Sequence, residues 1–147
     1  MSRLTADRLV RVRGTALDEI ASHARTDQPH ECCGLLIGTG DLIVEAVATP
    51  NVAADPIRRF EIPPVEHIRQ MRRCRTFSAA TGRPRDVVGA YHSHPRSAPA
   101  PSSTDLEQAF GEFVYLIAGP VVDACDVEIR AYRLEGGVFE SITIERC

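Results

Sequence analysis

The chain has 147 residues, a 44% hydrophobic composition and a formal net charge of −3. This length and apolar content predict a single compact domain over residues 1–147, and the slightly acidic balance argues against a nucleic-acid-binding protein. No apolar run reaches the roughly 18 residues of a membrane helix, and the first residues lack the apolar segment of a secretory signal. We therefore expect neither a membrane nor a nucleic acid as partner.

Cysteine usage points to a reducing compartment. The cysteines are scattered, odd in number, and two of them are adjacent: Cys32, Cys33, Cys74, Cys125 and Cys147. This pattern does not suggest a disulfide framework, and it fits a cytoplasmic protein. We interpret Cys32 and Cys33 as buried thiols rather than metal ligands, because His-x-Glu followed by Pro-Cys-x-x-Cys, the zinc deaminase pattern, does not occur.

The first half of the chain predicts a strand, a helix and an antiparallel strand pair. Residues 9–12 alternate weakly between apolar and polar side chains, as a strand does. Residues 15–25 carry apolar side chains at helical spacing and are followed by Pro29, which predicts an amphipathic helix. A Gly-Thr-Gly-Asp turn joins predicted strands over residues 33–37 and 42–48. The expected inward face of the helix consists of Leu17, Ile20, Ala21 and Ala24.

A second helix and a central strand follow. Pro63 and Pro64 open a predicted helix over about residues 65–79, and a short strand over residues 59–62 precedes it. The apolar, β-branched run at residues 87–91 predicts a buried strand at the centre of the sheet. The expected inward side chains of the helix are Val65, Ile68 and Met71.

The remaining elements complete an α/β fold. We predict a curved, mostly antiparallel but mixed sheet with one long helix packed on each side. A Gly-Gly turn at residues 136–137 joins the last two strands. The later elements are a short helix over residues 103–110 and strands over 113–118, 127–133 and 138–144.

Two histidines stand at the end of the predicted central strand. Side chains two apart on a strand point the same way, so His92 and His94 share one face. Pro95 cannot continue the ladder and ends the strand there. Ser102 or Ser103 is a predicted N-cap, and Asp105 in the first turn of the next helix can turn back toward the histidines. Two imidazoles, one carboxylate and an open position are the pattern of a catalytic zinc site.

The run from His92 through Asp105 resembles the JAMM motif of the MPN+ metalloproteases, also called the JAB or Mov34 family. That motif is His-x-His-Pro, a loop, then Ser-x-x-Asp, and Glu31 before the small-residue run 32–38 is similar to the family's upstream glutamate. The resemblance implies a cytidine deaminase-like fold and a Zn²⁺ ion held by His92, His94 and Asp105. It also implies Glu31 as general acid and base and an oxyanion-binding role for Ser102, with Ser103 left to cap the helix.

The resemblance further implies what the protein acts on. Members of this family hydrolyse an amide or isopeptide bond after the C-terminal Gly-Gly of a ubiquitin-like or sulfur-carrier protein. The predicted strand at residue 113 follows Asp105 closely, which leaves no room for the long insertion of the eukaryotic enzymes and places the chain with the short prokaryotic members. Two alternatives remain: a non-catalytic scaffold, against which the intact ligand set argues, and a zinc hydrolase of a small amide.

Arginines cluster on the second predicted helix and just beyond it. A solvated basic face is the simpler interpretation. A docking surface for an acidic partner, such as a ubiquitin-like carrier, is the alternative. The residues concerned are Arg69, Arg72, Arg73, Arg75, Arg83 and Arg85.

Overall fold

The computed structural model describes residues 8–107, 109, 113–122 and 126–147. Within these residues the chain forms one mixed sheet and three helices. In chain order the elements are β1 (Leu9–Val12), α1 (Gly14–Asp27), β2 (Cys33–Thr39), β3 (Leu42–Thr49), α2 (Pro64–Thr81), β4 (Asp86–Ser93), α3 (Ser103–Glu107), β5 (Val114–Val121), β6 (Val127–Glu135) and β7 (Val138–Arg146).

The sheet closes on itself in the order β1-β3-β2-β4-β5-β6-β7. The pairs β2–β3, β2–β4, β5–β6 and β6–β7 are antiparallel, whereas β1–β3, β4–β5 and β7–β1 are parallel. The predicted α/β class with a mixed sheet is therefore confirmed, and β4 lies at its centre as expected. None of the helices in the described ranges is long and apolar enough to cross a membrane.

The first helix packs against one face of the sheet. α1 contacts β3, β4, β5 and β6, and its buried side chains include Ile20 and Ala24, with Leu17 packed at the edge of the same core. The predicted inward face is confirmed at these positions. The core that α1 completes also contains Leu36 and Tyr91 of the two central strands.

The prediction for α2 is wrong about which face is buried. Val65, Ile68 and Met71 are 55%, 50% and 46% exposed, whereas Gln70 and Cys74 are buried. α2 packs chiefly against β4 and lies outside the two buried clusters of the fold. A three-residue apolar spacing marks one side of a helix, but it does not say whether the same chain covers that side.

The predicted strand over residues 59–62 is also wrong. This stretch belongs to no strand; the carbonyl oxygen of Glu61 instead accepts the N–H of Val52 at 3.0 Å. Phe60 and Ile62 are buried in a second apolar cluster on the face opposite α1. Burial alternates along residues 59–62 as it does in a strand, but no strand edge of the described residues lies alongside for them to pair with.

Three glycines explain local features of the sheet. Gly89 on β4 faces β5 so closely that a Cβ atom there would lie 2.0 Å from the carbonyl oxygen of Val114. Gly136 and Gly137 have positive φ angles of 57° and 76° and form the predicted turn between β6 and β7. Gly89 therefore allows β5 to lie close to β4, the strand that carries His92.

We expect Gly89→Ala to lower the free energy of unfolding by about 3 kcal/mol, the upper end of the usual cost of overpacking, because the Val114 carbonyl is backbone and cannot move aside as a side chain can. Urea unfolding followed by circular dichroism measures the loss. Gly137→Ala is the matched control: its Cβ would meet nothing within 4 Å, so only the cost of a left-handed conformation remains, roughly 1 kcal/mol. Equal losses for the two variants would contradict the close-approach argument.

Candidate metal and active site

Four buried ionisable side chains converge at one end of the central strands. Glu31, His92, His94 and Asp105 each offer a ligand atom, and these atoms all lie within 4.8 Å of one another. Their exposed fractions are only 6%, 2%, 6% and 7%. Every residue predicted from the motif as a metal ligand or as the proton carrier is therefore found in this cluster.

Strand pairing brings the upstream glutamate to the histidines. Cys33 pairs with His92 in the antiparallel β2–β4 ladder, so the residues just before Cys33 lie beside the end of β4. Ser93 points away from the histidines, as predicted, and its Oγ accepts the N–H of Cys32 at 2.8 Å. The end of β4 thus presents two imidazoles on one face. On its other face, Ser93 binds the backbone next to Glu31.

The short helix α3 is built so that its first carboxylate returns to the histidines. Asp105 Oδ1 lies 3.1 Å from His92 Nε2, and Oδ2 lies 3.1 Å from His94 Nε2. Asp105 also accepts the N–H of Ser102 at 2.9 Å, and Ser102 Oγ accepts the N–H of Asp105 at 3.0 Å. This reciprocal cap orients the carboxylate.

The cap corrects one expectation. Ser102, and not Ser103, is the capping residue. The two roles considered for the Ser102 hydroxyl are compatible, since an oxygen that accepts one hydrogen bond still carries its own hydrogen to donate.

The proline-rich loop after β4 selects the tautomer of His94. His94 Nδ1 donates to the carbonyl oxygen of Ala98 at 2.8 Å, so in the neutral ring Nε2 carries the lone pair that faces the cluster. Tyr132 on β6 donates through its hydroxyl to the carbonyl of Pro99 at 2.8 Å and anchors this loop. These two hydrogen bonds hold the loop against the ring of His94.

His92 is oriented by stacking in addition to the contact of its Nε2 with Asp105. Its ring lies over Phe60 with centroids 4.3 Å apart and planes 19° apart. Its Nδ1 is buried and has no hydrogen-bond partner among the described residues. Because Nδ1 has no such partner, stacking on Phe60 is the contact that sets the plane of the His92 ring.

Glu31 is held through its backbone, and its carboxylate faces the cluster. Its N–H donates to the carbonyl oxygen of Pro56 at 2.8 Å, and its own carbonyl accepts Asn51 Nδ2 at 2.9 Å. Oε1 is buried without a hydrogen-bond partner in the described part of the chain. Burial raises the pKa of Glu31 to about 7, against the lowering effect of His94 and with a further raising effect of Asp105. A carboxyl with this pKa exchanges protons readily near neutral pH.

Burial and hydrogen bonding act in opposite directions on the pKa values of the other three groups. Burial lowers the pKa of His92 below its usual value. Burial also opposes protonation of His94, but its hydrogen bonds to Asp105 and Ala98 raise the pKa overall. Burial would raise the pKa of Asp105, yet the hydrogen bonds with both histidines hold it well below its usual range. Asp105 is therefore an ionised carboxylate.

The cluster fits a small divalent cation. His92 Nε2 lies 3.1 Å from His94 Nε2, and each lies 3.1 Å from one oxygen of Asp105. Ligand atoms about 2.0–2.1 Å from a tetrahedral zinc ion are themselves about 3.3 Å apart. Lone pairs of His94 and Asp105 converge on the same buried space and need a positive charge between them. Imidazole and carboxylate donors with a fourth position left open suit zinc.

The adjacent cysteines take no part in this cluster. Cys32 and Cys33 are fully buried, and burial raises the pKa of the two thiols to about 12 and about 11. Cys32, Cys33, Cys74 and Cys147 are free thiols, and Cys125 lies outside the described residues. The interpretation of Cys32 and Cys33 as buried structural thiols is consistent with this packing.

Sequence reasoning missed two residues that shape the site. Asn51 and Phe60 lie between β3 and α2, far from the motif in sequence. A single asparagine next to Pro50, followed by a loop, is a weak signal for a side chain that binds backbone groups. Phe60 lay in the mistaken strand, where alternation alone could not indicate that its ring covers a histidine.

Comparison with known proteins agrees with this geometry. The family model of prokaryotic homologues of the JAB domain matches residues 15–135. The desampylase of Haloferax volcanii is 36% identical in an alignment of 148 residues that covers 96% of this chain and 98% of that protein. The CysO-cysteine peptidase of Mycobacterium tuberculosis is 25% identical over 130 residues, covering 88% of this chain and 86% of that protein.

A solved structure has the same fold. The solution structure of a protein from Desulfitobacterium hafniense superposes with a TM-score of 0.79 and 23% identity, covering 94% of this chain and 92% of that one. The family model spans most of the sequence, and the similarity to the Haloferax protein extends over nearly the full length of both chains. The chain therefore belongs to the prokaryotic homologues of the JAB domain.

Proposed function

We propose that this protein is a zinc-dependent peptidase that hydrolyses the amide or isopeptide bond after the C-terminal Gly-Gly of a ubiquitin-like or sulfur-carrier protein. The observation that carries the proposal is the buried Glu31 carboxylate beside an intact His92, His94 and Asp105 ligand set. The relatives support it, since one is named desampylase and the other CysO-cysteine peptidase. We assign the protein to the cytoplasm on its free thiols.

His92, His94 and Asp105 would hold the zinc ion. When bound, zinc supplies a Lewis acid that polarises the scissile carbonyl and lowers the pKa of a coordinated water. Glu31 accepts the proton of the attacking water and delivers it to the departing nitrogen, which must be protonated before the amide bond breaks. Its carboxylate lies within reach of the same space as the three ligand atoms, which is the placement this transfer needs.

We assign Ser102 a role at the oxygen of the scissile carbonyl. The reciprocal cap holds its Oγ beside Asp105. Its hydroxyl hydrogen is available to an acceptor that enters the site. We assign it donation to the developing oxyanion of the tetrahedral intermediate. The serine is not the nucleophile, because the neighbouring histidines are assigned to the metal.

The intact cluster disfavours a non-catalytic scaffold. A scaffold needs no buried group of two imidazoles and two carboxylates, whose desolvation is costly unless a cation compensates it. A protein substrate rather than a small amide is supported by the exposed apolar side of α2. Its side chains Val65, Ile68 and Met71 are about half exposed, and arginines lie on the same helix.

Not every arginine of α2 is available to a partner. Arg73 is paired with Glu45 at 2.8 Å and Arg69 with Glu66 at 2.7 Å. Arg72 and Arg75 form no ion pair within the described ranges. We infer that the carrier binds this side of α2 through an apolar patch surrounded by acidic residues. The patch would contact the exposed apolar side chains of α2, and the acidic residues would pair with Arg72 and Arg75.

We predict one zinc ion per chain in the purified protein and its loss in His92→Ala, because two remaining protein ligands hold zinc poorly. Elemental analysis measures the stoichiometry, and X-ray absorption measures the ligand type and distance. His67→Ala on α2 is the control and should keep one zinc per chain. Full zinc occupancy in His92→Ala would overturn the ligand assignment.

We predict that Glu31→Gln lowers kcat by about 10²–10⁴, the usual contribution of general acid–base catalysis, and changes KM little. The substitution preserves size but removes the proton carrier, so zinc content and melting temperature should stay at wild-type values. Turnover is measured on a ubiquitin-like carrier extended beyond Gly-Gly by one residue. The exposed Glu61→Gln is the control. Wild-type turnover of Glu31→Gln would exclude Glu31 as the proton carrier, and loss of zinc would make it a structural or ligand residue.

We predict that the double variant Ile68→Ser, Arg72→Glu raises KM for the carrier substrate by at least tenfold and leaves kcat unchanged. The same variant should cleave a short Gly-Gly-x peptide at the wild-type rate, because the peptide lacks the folded carrier surface that we assign to α2. Val138→Ser on β7, which removes an apolar side chain that is 60% exposed, is the control. An unchanged KM for the carrier would return α2 to the role of a solvated face.

A further inference from the structure

Asn51 lies between β3 and α2, and both ends of its side chain are hydrogen-bonded to backbone groups. Its Nδ2 donates to the carbonyl oxygen of Glu31 at 2.9 Å and to that of Arg59 at 3.0 Å. Its Oδ1 accepts the N–H of Ala53 at 3.1 Å and of Glu61 at 3.0 Å. A side-chain amide offers two donor hydrogens and two acceptor lone pairs, so these four bonds use its whole capacity, and the more distant carbonyl oxygen of Pro56, 3.5 Å from Nδ2, shares one of the two hydrogens.

These bonds join the segment 51–61 to Glu31. The N–H of Glu31 also bonds within this segment, to the carbonyl of Pro56 at 2.8 Å. Glu31 precedes β2, so the β2–β4 ladder does not hold its backbone directly. Its carboxylate Oε1 has no hydrogen-bond partner among the described residues. The position of the carboxylate therefore depends on where the backbone of Glu31 is held.

The same segment also contacts a metal-ligand histidine. Phe60, which lies between the two Asn51-bonded residues Arg59 and Glu61, stacks on the ring of His92 with a centroid distance of 4.3 Å. Phe60 is only 4% exposed. One segment thus contacts the proton carrier at its backbone and a metal ligand at its ring, and Asn51 binds that segment together.

We propose that Asn51 is a positioning residue that sets the distance between the Glu31 carboxylate and the metal-ligand histidines. This inference rests on the proposed function, because it assigns Asn51 a role relative to Glu31 as proton carrier. Asn51 does not touch the reacting atoms. It acts by holding the Glu31 carbonyl and the backbone on both sides of Phe60 in one arrangement. A misplacement of about 1 Å in such a site can cost about 10²-fold in rate.

Asn51→Asp is the most specific test of this role. Aspartate has the same shape and keeps an oxygen for the amides of Ala53 and Glu61. Its second oxygen would face the carbonyls of Glu31 and Arg59, where two acceptors repel, so the bond to Glu31 is lost. Val52→Ala is the matched control, because Val52 is the next residue, its side chain is 51% exposed, and its backbone bond to Glu61 is kept. Asn51→Ala serves as a second variant if Asn51→Asp does not fold.

We expect Asn51→Asp to lower kcat about 10–100-fold, the usual cost of losing an outer-shell partner, with KM within threefold and one zinc ion per chain. In the Glu31→Gln background, Asn51→Asp should lower kcat no more than twofold further, because its effect passes through the carboxylate that is already absent. In the zinc-free protein, hydrogen exchange at the Glu31 amide should become at least tenfold faster in Asn51→Asp and stay unchanged in Val52→Ala.

Three outcomes would overturn the proposal: a wild-type kcat for Asn51→Asp, an equal loss for Val52→Ala, or the same fold loss with and without Glu31→Gln. The last outcome would mean a general structural effect rather than positioning of Glu31. The failure of the proposed function is distinguishable, since it appears as wild-type turnover of the Glu31→Gln single variant. In that case the exchange rate of the Glu31 amide still decides whether Asn51 holds this backbone.

Discussion

The antiparallel pairing of β2 with β4 is the constraint on which the site depends. Cys33 pairs with His92, and this register places Glu31 beside the end of β4. A slip by one residue would turn His92 and His94 into the α1 core and Tyr91 and Ser93 toward the site, because strand side chains alternate. Tyr91 fills the core on the α1 side, so hydrophobic burial protects the register that the chemistry needs.

Burial of four ionisable groups in one cluster would be unfavourable without compensation. Each of Glu31, His92, His94 and Asp105 is less than a tenth exposed, and a buried charge needs a partner or a metal ion. The structure supplies only part of this: the Ser102 N–H for Asp105 and the Ala98 carbonyl for His94. The remaining lone pairs converge on one space. Such a site couples metal binding to the stability of the elements around it.

The two long helices have different roles. α1 is enclosed by contacts with four strands and completes the main core. α2 contacts chiefly β4 and turns Val65, Ile68 and Met71 outward. The first helix therefore contributes to the stability of the sheet, whereas the second presents apolar surface beyond what it buries. Exposed apolar side chains grouped on one helix, with arginines alongside, are a feature of interaction surfaces.

Local sequence was sufficient to predict the strands β1 to β7, the helix α1 and the residues that meet in the buried cluster, because alternation, helical spacing and the His-x-His-Pro, Ser-x-x-Asp order are local properties. It also determined that His92 and His94 share one face. Only the tertiary structure decided that α2 turns its apolar side outward, that residues 59–62 form no strand, and that Ser102 rather than Ser103 caps α3. It alone brought Asn51 to the carbonyl of Glu31 and Phe60 to the ring of His92. These facts depend on which distant segment covers a given face, and periodicity along one segment carries no information about its neighbours in space.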